Sequence, residues 1–105
     1  MIDELKNIEF SPDGYKNLLD AIIAGGYNFA KFTRDEPRSG DFFLRHDVDK
    51  SVAYALEMAR LEKDFGVRAH YFFLLHSPLY NLLEPDTWEM VAEIKSHGHW
   101  IGLHY

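Results

Sequence analysis

The chain has 105 residues, of which 47% are hydrophobic, with eight Phe, six Tyr and two Trp, and a formal net charge of −6. That length fits one small domain spanning 1–105, and the apolar and aromatic content argues against disorder. The acidic balance, with no Lys/Arg cluster, argues against nucleic acid or an anionic membrane surface as partner, and the absence of cysteine excludes disulfides and thiolate metal sites. No run has the length of a membrane span, and Met1 to Lys6 lacks the basic and apolar pattern of a signal peptide. A cytoplasmic location is the expectation.

In chain order, Ser11-Pro12 reads as an N-cap with proline at the first helical position. Tyr15, Leu18, Leu19 and Ile22 follow one helical face, and Gly25-Gly26 stops it. Tyr27 to Phe32 reads as a short strand, and Thr33 to Asp41, with Pro37 and Gly40, as a loop. Phe42 to Val48 is compact and apolar enough for a buried strand.

Ser51 to Phe65 is the clearest helix, closed by Gly66. Its apolar residues form two rows, Val52, Ala55, Leu56 and Ala59 on one side and Tyr54, Met58, Leu61 and Phe65 on the other. Glu57, Arg60 and Asp64 fill the wedge between them, so this helix is expected to pack on a sheet and on a second element. Val67 to Leu75 is another buried strand, followed by a loop containing Pro78 and Pro85. Asp86 and Glu89 have capping-box spacing, and Trp88, Met90, Val91 and Ile94 make a helix ending at Gly98. His99 to Tyr105 is the last strand. Strands alternating with helices in this way predict an α/β fold of parallel βαβ units, with the chemistry on the rim at the strands' C-terminal ends.

Asp47, Asp49 and His104 all fall on that rim. Alternation along a strand puts Arg45, Asp47 and Asp49 on one face and His46 and Val48 on the other. Two readings of Asp47-x-Asp49 stand side by side. In the first, one carboxylate binds a divalent metal and the other is left as a base; in the second, an Asp caps the helix near Ser51 and Arg45 pairs with Asp47. His104 shares its face with Trp100 and Gly102 while His99 points away, so His104 is the better ligand, and an imidazole with a carboxylate suits zinc. His97 and His99 read as structural, and His70 as packed among aromatics. His76, Asn81 and Arg45 are weaker candidates for contact with substrate.

The stretches RHDVDKS at 45–51, ALEMARLEKDFGVRAHYFFLL at 55–75 and GHWIGLHY at 98–105 together resemble the polysaccharide deacetylase family, the NodB-homology domain of carbohydrate esterase family four. The resemblance implies part of a distorted (β/α) barrel and a metal-dependent hydrolase that removes acetyl groups from N-acetylated carbohydrate. It implies Asp47 as general base assisted by an arginine, and Asp49 and His104 as two of three ligands to a divalent ion, zinc being expected. The third ligand, usually a histidine four residues after the first, would fall past Tyr105, as would the family's later acid and arginine. This length of chain is therefore expected to bind metal weakly, to release little acetate, and to self-associate through an exposed sheet edge. Two rival readings are a non-catalytic binding or assembly module and a barrel-type metal hydrolase acting on a cyclic amide or a phosphoester.

Overall fold

A computed structural model of the chain describes residues 12–32, 36, 38–75 and 77–104. The expectations on Ser11, His76 and Tyr105 lie outside those residues, as does part of the loop predicted over 33–41. The elements run α1 (Pro12–Ala24), β1 (Asn28–Phe29), β2 (Asp41–Phe42), β3 (Arg45–Val48), α2 (Val52–Asp64), β4 (His70–Leu74), α3 (Pro85–Ser96) and β5 (Trp100–His104).

All the strand pairings are parallel, in a two-stranded sheet β1-β2 and a three-stranded sheet β3-β4-β5. The expected α/β class with parallel βαβ units is present. Both sheets are open among the described residues, and closure into a barrel is not shown. None of the described helices is long and apolar enough to cross a membrane.

The single strand expected over Phe42–Val48 is in fact two. Phe42 belongs to the small sheet, where its ring meets Phe29 and Tyr27 edge-on, whereas Phe43 stacks on Phe32. Leu44 then enters both hydrophobic clusters before the ladder with β4 begins. An apolar run reads as one strand even when successive rings are claimed by different neighbours.

Helix α2 packs on two sides, as its two apolar rows predict. Val52, Ala55, Leu56 and Ala59 join Val48, Ala69, Tyr71 and Phe73 of the main core, which α3 completes through Val91 and Ile94. Met58, Leu61 and Phe65 pack instead against Tyr15, Leu19 and Val67 in a second cluster under α1, while Tyr54, expected in the same row, lies in the first turn of the helix and stays 48% exposed, outside both clusters. Outside the core, Arg60 clasps Glu93 of α3 in a two-pronged ion pair that His97 also joins. The Arg60 guanidinium and then His97 hold the Glu93 carboxyl down to about 2.

Ser51 caps α2, its hydroxyl accepting from the Tyr54 N–H at 3.1 Å, and Gly66 closes the helix at φ 71°, a left-handed conformation that suits glycine. Ser51→Ala should therefore lower stability by about 1 kcal/mol, seen as a reduced urea midpoint with an unchanged slope. The capping box expected from Asp86 and Glu89 does not form. Pro85 takes the first helical position, Glu84 stands at the cap without a side-chain bond, and Asp86 contributes only its charge to the first turn.

Candidate functional site

The three-stranded sheet has two unlike faces. His46 and Val48 of β3 and Tyr71 and Phe73 of β4 point toward the helices, so Arg45, Asp47, His70 and Phe72 point the other way. On β5 the register sets Trp100 beside His70, Gly102 beside Phe72 and His104 beside Leu74. The face away from the helices thus carries the candidate chemistry at its C-terminal end and rings deeper down.

Asp49 leaves the end of β3 with its carboxylate largely exposed, and its Oδ1 lies 3.7 Å from His104 Nδ1, across the sheet from β5. That separation is too long for a hydrogen bond and within reach of an ion shared between the two groups. His104 Nδ1 is shut off from solvent and has no hydrogen-bond partner. Because Ser51 caps α2, Asp49 is not needed as a cap, which removes that half of the structural alternative.

The other half is present: Arg45 Nε donates to Asp47 Oδ1 at 2.8 Å. Both side chains are partly exposed, so the pair adds little to stability, and its effect is to orient the carboxylate. Arg45 is itself fixed from below, its guanidinium lying 4.1 Å over the Phe72 ring. Phe72 in turn needs glycine at its neighbour. A Cβ on Gly102 would come within 2.6 Å of the ring. The Asp47 carboxylate is therefore engaged by Arg45.

A cation at this site would find one carboxylate and one imidazole. Asp49 and His104 fit it as a partial donor set, carboxylate oxygen and imidazole nitrogen being the chemistry zinc accepts. Among the described residues there is no group of three His, Asp or Glu placed to hold a metal ion.

Among the described residues, the remaining histidines have structural partners. His99 is buried on the opposite side of the strand, its Nδ1 accepting from Ala69 N–H at 3.1 Å and its Nε2 donating to the Ala59 carbonyl at 2.9 Å. His70 is buried among Phe32, Phe72 and Trp100 and accepts from the Phe32 N–H at 3.0 Å. Burial lowers the imidazole pKa of both.

An open cleft of about 520 Å³ is lined by Leu75, Ser77, Pro78, Tyr80 and Asn81. The Tyr80 hydroxyl donates to the Val48 carbonyl and accepts from the Leu74 N–H, tying together the ends of β3 and β4. Burial raises its pKa, and the Asp49 charge adds to the rise. Asn81 lines the cleft, while its Oδ1 is engaged by Leu83 N–H at 3.0 Å.

Sequence reasoning missed a buried polar hub under β3. Glu62 of α2 is fully buried and accepts from the hydroxyls of Tyr15 and Tyr71 and from His46 Nε2 at 2.6 Å. Burial alone would raise its pKa. The hydrogen bond and charge of His46, with the two tyrosine hydroxyls, outweigh that and hold the carboxyl below its ordinary range. Burial and then the Glu62 charge push the Tyr71 phenol well above its usual value. The signal was available on a helical wheel: Glu62 falls between the two apolar rows, on the side opposite Glu57, Arg60 and Asp64.

No family model, curated protein or solved structure matches the chain.

Proposed function

We propose that this chain carries the opening units of a metal-dependent hydrolase of polysaccharide deacetylase type, acting on the acetamide of an N-acetylated carbohydrate. The supporting observation is the approach of Asp49 and His104 to 3.7 Å from non-neighbouring strands, at the rim where parallel α/β folds place their chemistry. In this reading Asp49 and His104 hold a divalent ion, zinc by preference. Such an ion, when bound, supplies Lewis-acid polarisation of the acetamide carbonyl. Asp47, oriented by Arg45, takes the proton of the attacking water. The cleft lined by Tyr80 and Asn81 receives the sugar.

Two donors hold an ion less tightly than three, so weak binding and little turnover are expected of these 105 residues. The absence of a third ligand among the described residues favours, as second reading, a deacetylase-like module that binds carbohydrate without cleaving it. Self-association belongs to the same proposal. Ile101 and Leu103 remain 37% and 44% exposed on strand β5, and its edge, unpaired among the described residues, offers a second copy a place to add.

Zinc titration by calorimetry tests the first reading. Wild type should bind, and Asp49→Ala or His104→Ala should lose the binding while keeping the fold by circular dichroism. Equal zinc affinity in all three proteins would refute the site. Retention of an N-acetylated oligosaccharide without acetate release would select the second reading.

A further inference from the structure

The hub at Glu62 has a cost that packing alone does not justify. A buried charged group is often no better for stability than apolar residues of the same volume, so its presence in the core calls for an orienting role. Glu62 is gripped from three elements, by Tyr15 of α1, His46 of β3 and Tyr71 of β4. His99, just before β5, faces it from the fourth, with its Nε2 at 3.9 Å. The grip on β3 matters most. That strand is four residues long and among the described residues pairs with β4 alone, so its backbone is held there on one side. Of its two inward side chains, Val48 packs without directional preference, whereas His46 is hydrogen-bonded at a set angle. His46 lies between Arg45 and Asp47, so what fixes the imidazole beneath the sheet also fixes how those two side chains leave the upper face.

We propose that Glu62 is a positioning residue for Asp47: through His46 it sets the orientation of β3 and hence the Arg45–Asp47 pair on the opposite face. The role of Asp47 as base rests on the deacetylase reading, but the positioning does not.

The test is made on the 105-residue chain by following the Arg45 Nε–H and Asp47 resonances in heteronuclear NMR spectra. His46→Phe keeps a ring of similar volume but has no donor for Glu62, and it should displace both resonances. His46→Gln restores an N–H donor and should return them toward the wild-type positions. Glu62→Leu, which has no acceptor for His46, should act like His46→Phe. Val91→Ala, which removes apolar volume from α3 away from the hub, serves as the control for destabilisation without loss of the link. If His46→Phe moves the two resonances no further than Val91→Ala, or if His46→Gln fails to restore them, the positioning role is overturned. Zinc is titrated into wild type in parallel. Absence of binding would refute the deacetylase reading and leave the NMR result on Glu62 standing.

Discussion

Glu62→Ala should destabilise the chain by about 3–5 kcal/mol, a large share of the 5–15 kcal/mol typical of a whole domain. The substitution strips the acceptor from the Tyr71 hydroxyl, which is wholly enclosed, from the Tyr15 hydroxyl and from His46 Nε2, and it leaves a void between α2 and the sheet. Urea unfolding at neutral pH reads the loss directly. A loss below about 1 kcal/mol would mean that the polar groups find water or other partners, and that the hub contributes little.

The same carboxylate gives the protein a definite response to acid. Its folded pKa lies below the unfolded value, so the unfolded chain binds more protons in the acidic range. The stability it contributes is complete above the unfolded carboxylate range, near about 4.3, and is lost as the pH falls through the lower folded value. Wild type should therefore lose more stability between neutral and strongly acidic pH than Glu62→Gln, which has no proton to take up at that position. Parallel denaturation series across pH distinguish the two slopes.

Asp47→Asn carries the second large effect. In a form of the chain that releases acetate, the amide cannot accept the water's proton, and turnover should fall about 10²–10⁴-fold. Zinc affinity should stay near the wild-type value, because Asp49 and His104, which approach each other directly, remain in place. Acetate release measured beside zinc calorimetry separates base from ligand. Normal turnover in Asp47→Asn would reassign the base. Loss of both properties would make Asp47 a ligand.

Much of the fold could be read from the sequence because two periodicities alternate clearly along it. The paired apolar rows of 51–65 predict a helix packed on both sides, and the structure places one row against the sheet and the other against α1. Alternation within 45–49 and 99–104 was enough to set Asp47 and His104 on the open face and His99 in the core. The reading failed where neighbours of one chemical type compete. Phe42, Phe43 and Leu44 are equally apolar, and only tertiary contacts decide that the first ends one sheet and the third leads into another. Glu62 was overlooked for a different reason. An acid on a helix is ordinarily solvated, and the partners that make burial tolerable here come from positions 15, 46 and 71, which no local pattern connects.

The order β3-β4-β5 also governs how the chain reaches this state. Each ladder joins strands separated by a full crossover helix and its loops, so neither can form as a local hairpin. Closing those long loops precedes any reward from the contacts they bring, and such topologies fold more slowly than helical bundles of equal length. During that interval α2 is the natural early element, well capped and with apolar groups on two sides, and it gives the sheet a surface to assemble on. Strand β5 depends on β4 being in place, and its Ile101 and Leu103 remain partly exposed even at the end. A newly made chain is thus most exposed to misassociation late in folding, when crowding by its own copies would divert it most easily.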